Sequence, residues 1–244
     1  MMKKTVALIA IAALAACKKD ETANTSVAAS APVAGAAAPA GQDWTTTYAA
    51  SPEGGFVMGN PNAPIKLVEY GSLTCPHCAE FSEKGSAPLK ALVQQGKLSW
   101  EFRNYVRDAV DTSATLVARC NGPASFFGML EAMYADQPNW FAKLQALPQG
   151  TLEGFQSLPP AQQFPKLAEL IGIKDFAAQR GVPVAKSDAC LADTAQAEKL
   201  AKMVETANAM PGFVGTPTFL INGQLVPNAA TWEALEPALK NAGA

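Results

Sequence analysis

The chain has 244 residues, 49% of them apolar and only 16% charged, with a formal net charge of −2 at neutral pH. That length can bury a sizeable core in one large domain or two small ones, and the near-neutral balance offers no basic field, which excludes nucleic acid as a partner. There is one histidine, His77, and there are five cysteines: Cys17, Cys75, Cys78, Cys120 and Cys190. The odd count leaves one cysteine unpaired, and the position of Cys17 accounts for it.

The N-terminus opens with two lysines and a run of twelve residues, TVALIAIAALAA. This is the positive region and apolar core of a signal peptide, too short for a comfortable membrane span. The run ends in Leu14-Ala15-Ala16-Cys17, which resembles the lipobox of bacterial lipoproteins. The resemblance implies cleavage after residue 16 and a diacylglyceryl group on Cys17 that attaches the protein to a membrane. Lys18, in place of an aspartate, implies sorting to the outer membrane ahead of the inner one. An ordinary secretory signal is the alternative, and either places the mature protein in the periplasm or cell envelope, where disulfides persist. Residues 17–43, rich in Ala, Pro, Ser and Thr, then read as a disordered tether. As a flexible coil it would span about 25–30 Å.

Order is expected from Asp43 and Trp44. Residues 54–59 (GGFVMG) read as a short edge strand, followed by turn chemistry in GNPNAP, and 65–72 (IKLVEYGS) as a buried strand. A helix follows Cys75, with Pro76 in its first turn and with Gly85 and Pro88 expected to kink or break it. Residues 97–106 form the next strand, with alternating character. From Asp111 to Met210 the period is helical, including one segment from Ser187 to Met210 with a Ser-Asp start suited to a cap. Phe126, Phe127, Tyr134 and Trp140 in this block are core at this spacing, with a groove lining as the alternative. Strand signals return in TPTFLING and QLVP around Asn222-Gly223, a hairpin turn, and residues 231–244 close as a helix. The order of elements is α/β, that of a thioredoxin fold with an inserted α-helical domain. Its first part covers 44–110, the insertion 111–195 and the second part 196–244.

Cys75 and Cys78 enclose Pro76 and His77 where strand passes into helix. The first sulfur stands at the helix N-terminus, where free N–H groups and the macrodipole favour an anion, so its thiolate is the nucleophile. The second lies one turn in and closes the ring. His77 can add a hydrogen bond or a charge that stabilises the Cys75 thiolate. A stabilised thiolate makes the disulfide the stronger oxidant. A zinc site would need two further ligands from a chain with one histidine, and an inert staple would constrain little chain.

CPHC, preceded by Glu69 in LVEYGSLTCPHC and followed far downstream by VGTPTFLING, resembles the DsbA family of thiol-disulfide oxidoreductases over about residues 54–244. The resemblance implies that Cys75 attacks and Cys78 resolves. It makes Pro217 a cis-proline beside the pair, and Thr216 a backbone contact for the substrate. It makes Glu69 a buried acid moving protons at Cys78. Cys120 and Cys190 are expected to pair as a structural disulfide, worth roughly 4 kcal/mol in the chain-entropy model; two buried free thiols are the alternative. The expected function is oxidation of unfolded or reduced exported proteins by a monomer without cofactor or metal. The family re-oxidises such a protein through a quinone-linked membrane partner of DsbB type. An isomerase or reductase kept reduced by a membrane donor is the second reading, and a surface binding lipoprotein the third.

Overall fold

The computed structural model describes residues 31–244. The signal segment and Cys17 lie outside the described residues. A six-stranded sheet runs in the order β1 (Tyr48–Ala50), β2 (Phe56–Gly59), β4 (Leu98–Asn104), β3 (Ile65–Gly71), β5 (Thr218–Ile221), β6 (Gln224–Val226). Only β3 and β4 are parallel, in register from Ile65 opposite Leu98 to Gly71 opposite Asn104; every other neighbour is antiparallel. The parallel pair needs a crossover, and helix α1 (Pro76–Gln94) supplies it.

β3 sits inside the sheet, and alternation along it decides what each side chain meets. Ile65 and Leu67 enter the main core with Trp100, Phe102, Phe81, Phe126 and Phe127, beneath α1 and α3 (Pro123–Ala135). Val68 and Tyr70 face the other way, into a smaller cluster with Ala207 of α9 (Thr194–Asn208) and Leu220. Glu69 therefore shares the main-core face with Leu67, a carboxyl group aimed into apolar packing.

Between β4 and β5 lies the helical insertion: α2 (Ala109–Arg119), α3, α4 (Gln137–Gln145), α5 (Thr151–Gln156), α6 (Pro160–Leu170), α7 (Ile173–Ala178), α8 (Val184–Leu191) and then α9. A disulfide joins Cys120, at the end of α2, to Cys190 in α8 across 70 residues of sequence. Phe126, Phe127, Tyr134 and Trp140 are all buried. β5 and β6 turn back through Asn222 and Gly223, both at positive φ, in a two-residue hairpin. Helix α10 (Trp232–Asn241) closes the chain, capped by Thr231.

Four expectations are corrected. β2 is interior to the sheet, because β1, whose Tyr-Ala-Ala carries no apolar alternation, adds the edge outside it. The segment from Ser187 is two helices, because Asp193 accepts a hydrogen bond from the Gln196 amide and starts α9 afresh. Helix α1 runs unbroken through Gly85 and Pro88. Its face is pinned to the sheet by Phe81, Leu89 and Val93, with the Phe81 and Phe219 rings 4.5 Å apart, and burial of that kind outweighs the roughly 3 kcal/mol a helical proline costs. Gly85 belongs to the same packing, since a Cβ there would stand 2.8 Å from the Phe81 ring. Finally, residues 31–43 lie on the domain: the Val33 amide donates to Gly243 O, and the Trp44 indole donates to Ala36 O. Gly35 and Ala36 are small enough to press on the backbone of Gln95 and Gly96, a fit that composition alone does not reveal.

Candidate active site

Cys75 is the N-cap of α1 and Pro76 its first helical residue, so the chain leaves the β3 loop and enters the helix at the first sulfur. Cys75 is 4% exposed and Cys78 0%. Both are free thiols in this structure. The Thr216–Pro217 peptide bond is cis, and the Thr216 carbonyl lies 3.2 Å from Cys75 Sγ. Val214, two residues earlier, is 95% exposed. Cys75, His77, Tyr105, Arg107, Val204, Gly215 and Thr216 line an open cleft of about 630 Å³.

The two sulfurs are driven apart in acidity. The Cys78 thiol donates to Cys75, and this bond, helped by Thr216, by the Cys78 amide and least by the charge of Arg107, outweighs burial and brings Cys75 down to about 5. Cys78 goes well above the ordinary thiol value, because burial and then the adjacent Cys75 thiolate disfavour a second anion. At neutral pH the pair holds one thiolate, at the sulfur facing the cleft.

Glu69 is 1% exposed and accepts one hydrogen bond, from Trp100 Nε1 at 3.1 Å. Burial pushes its carboxyl up to about 8, so at neutral pH it is mostly protonated. Its charge, when present, raises Cys78, so the two groups feel one another across the floor of the site.

Five of the sequence-marked residues converge. Cys75, Cys78, Thr216, Pro217 and Glu69 form one constellation, and the Cys120–Cys190 bridge lies apart in the insertion. The His77 side chain is 76% exposed and reaches toward Glu80, with Nδ1 3.8 Å from Oε2, rather than toward Cys75. Several participants escape sequence reasoning. Gln137 of α4 donates to the carbonyls of Leu73 and Cys75, fastening the insertion to the active loop. Asp111 and Arg107 bracket the same loop from beyond β4. The signal for these two was topological: β3 and β4 are parallel, so the residues that follow each strand emerge at the same edge, where sites of α/β sheets gather.

Three comparisons place this geometry. The sequence model of the family described as Thioredoxin matches residues 51–241. The crystal structure of a protein-disulfide isomerase from Novosphingobium aromaticivorans superimposes with a TM-score of 0.72 at 34% identity, over 75% of this chain and 94% of that one. Wolbachia pipientis α-DsbA1 shares the fold, with a TM-score of 0.61 at 20% identity over 77% of this chain and 89% of that one. A Rickettsia bellii protein named "Putative protein-disulfide oxidoreductase" is 27% identical over 178 residues, 72% of this chain and 60% of the relative. The counterpart with the same name in Rickettsia felis is matched over 53% of its length, so the chain spans little more than half of these curated relatives. With a family match across nearly the whole folded part, and a helical insertion between the parallel pair and the β5–β6 hairpin, the chain belongs to the thioredoxin family.

Proposed function

We propose that the protein is a DsbA-type thiol-disulfide oxidoreductase that oxidises exported proteins. The observation that carries the reading is the split acidity of the pair: a reduced state holding a stabilised thiolate at Cys75 favours handing the disulfide away. A substrate thiolate attacks Cys75 Sγ of the oxidised pair, and the Cys75–Cys78 bond breaks. Cys78 leaves with the electron pair and, being buried and basic, takes a proton, which Glu69 is placed to give. A second substrate thiolate then attacks the substrate sulfur of the mixed disulfide and expels Cys75 as its stabilised thiolate. The substrate has lost two electrons and two protons; the protein holds Cys78 as a thiol and Cys75 as a thiolate, Glu69 regains its proton from solvent, and a partner such as a quinone-linked DsbB-type membrane protein re-oxidises the pair. The open cleft beside the Thr216 carbonyl, with exposed Val214 two residues before it in the chain, suits an extended, unfolded segment.

Isomerisation is the second reading, favoured by the name of the 34%-identical Novosphingobium protein, a protein-disulfide isomerase. Two ribonuclease preparations separate the two. The oxidised protein in catalytic amount is expected to restore activity to reduced, unfolded ribonuclease. Rescue confined to scrambled ribonuclease by the reduced protein would select isomerisation.

Envelope attachment through a lipid on Cys17 belongs to the same proposal and rests on the Leu14–Cys17 lipobox. Cys17→Ser is expected to move the protein from the membrane fraction to the soluble one; a variant that still sediments with membranes would remove the lipid from the account.

A further inference from the structure

Asp111 is completely buried, and its carboxyl group finds its hydrogen-bond partners on two separate segments. Oδ2 accepts from Ser72 Oγ at 2.6 Å and from the Arg107 amide at 3.0 Å; Oδ1 accepts from the Leu73 amide at 3.1 Å. One group therefore ties the loop before Cys75 to the segment after β4. The Arg107 side chain completes the loop: Nε donates to Thr74 Oγ1 at 3.0 Å, Nη2 donates to the same oxygen at 2.9 Å, and Nη2 also donates to the Thr74 carbonyl. Thr74 immediately precedes Cys75, and Arg107 shares the cleft with Cys75 and Thr216. No salt bridge to Arg107 exists among the described residues. An arginine's planar fork suits this double grip, and its charge never titrates away.

We propose that Arg107, presented by Asp111, is the fixed cation that tunes the attacking cysteine, the task the sequence assigns to His77. Arg107 is a positioning residue: it acts on Cys75 through the Thr74 grip and through its field, and the proposal rests on Cys75 being the nucleophile. The other groups that act on Cys75 are Cys78, which donates to it from α1, and Thr216 across the cleft; solvent-facing His77 turns to Glu80. Around Asp111 stand Asp108 at the start of its own helix, the Thr74 hydroxyl, and Tyr134 of α3. The charge of Arg107 lowers Cys75, so losing it moves the Cys75 titration upward.

The test follows thiolate absorbance at 240 nm against pH in the reduced full-length protein and its variants. Arg107→Gln is expected to raise the Cys75 midpoint by about one pH unit. Equilibration with glutathione should shift about tenfold toward the disulfide, equivalent to about 30 mV. Arg107→Lys, which keeps the charge, should recover at least half of that shift, and His77→Gln should move the midpoint far less than Arg107→Gln. Asp111→Asn gives the sharpest readout. Burial raises the Asp111 carboxyl to about 6, so at the Cys75 midpoint it is mostly protonated and the variant removes little charge; losing the presentation of Arg107 raises the midpoint, and a rise is the expected result. An unmoved midpoint in Arg107→Gln, equal shifts in Arg107→Gln and Arg107→Lys, or a fall in Asp111→Asn would overturn the assignment. A wild-type protein with no thiolate forming near pH 5 would instead sink the reading of Cys75 on which it rests.

Discussion

Cys78→Ala stalls the exchange at its first covalent product. With no Cys78 the protein cannot hold the disulfide it hands on; the lone Cys75 thiolate instead attacks an oxidised substrate or an activated small disulfide, expels one of its sulfurs as a thiolate, and stays in a mixed disulfide that no internal sulfur attacks. The complex should accumulate on a non-reducing gel, and turnover should fall to the uncatalysed background. A second effect follows from the same contact. The Cys78 thiol is the leading cause of the low Cys75 value, so its removal should return Cys75 from about 5 toward the ordinary thiol range. Cys78→Ser keeps a donor at that position and should retain part of the acidity while trapping the same complex. Cys75→Ser should trap nothing, because the remaining sulfur is buried and resists ionisation. If Cys75→Ser formed the complex and Cys78→Ala did not, the roles of the two sulfurs would be reversed.

Glu69→Gln should slow the attack step and remove a pH dependence of stability. When a substrate breaks the Cys75–Cys78 bond, Cys78 leaves into a site that disfavours its anion, and a carboxyl group with a value of about 8 still carries its proton at pH 7. Losing such an acid costs about a hundredfold, and the wild-type decline in rate through about pH 8 should vanish in the variant. Stability has the following sign. The folded carboxyl is raised from 4.5 to about 8, so the folded state holds a proton that the unfolded state has released between those limits. Stability from this group is therefore fully present below about pH 4.5 and lost as pH rises to about 8, by an amount on the order of 5 kcal/mol. Reduced Glu69→Gln should match the wild type near pH 4.5 and exceed it by several kcal/mol at pH 8 in urea titrations. Equal stability at both pH values would show that Glu69 does not hold its proton against solvent.

Much of the molecule was legible because its strongest signals are local. The Asn222-Gly223 turn, the apolar run of β3 and the Cys-x-x-Cys followed by a helix each state their structure within ten residues. Glu69 was legible only through family resemblance, since a glutamate within a strand does not disclose which face it takes. What the sequence concealed is tertiary. Pro88 and Gly85 carry breaker chemistry, yet with Phe81 packed on Phe219 α1 continues through them without a break. β1 has too little pattern to be found without its partner. Gly35 and Ala36 look like linker until the α1–β4 turn is seen beneath them. His77 is the instructive case at the site: adjacency in sequence suggested a partner for Cys75, but its side chain is exposed and turns to Glu80, while a cation 30 residues further on grips the residue before Cys75.

The reduction potential of the Cys75–Cys78 couple, obtained by equilibrating residues 31–244 with glutathione buffers at pH 7, tests the central claim most directly. At that pH the thiolate at Cys75 lies about two units above its midpoint, which favours the reduced form by about 1–2 kcal/mol once screening by cleft water is allowed for. That is a gain of about 20–40 mV in oxidising power from this group alone. The account predicts a potential near or above about −150 mV, on the oxidising side of the thioredoxin-fold range. A potential near about −220 mV or below would contradict it and transfer the assignment to a reductase or isomerase supplied by an electron donor.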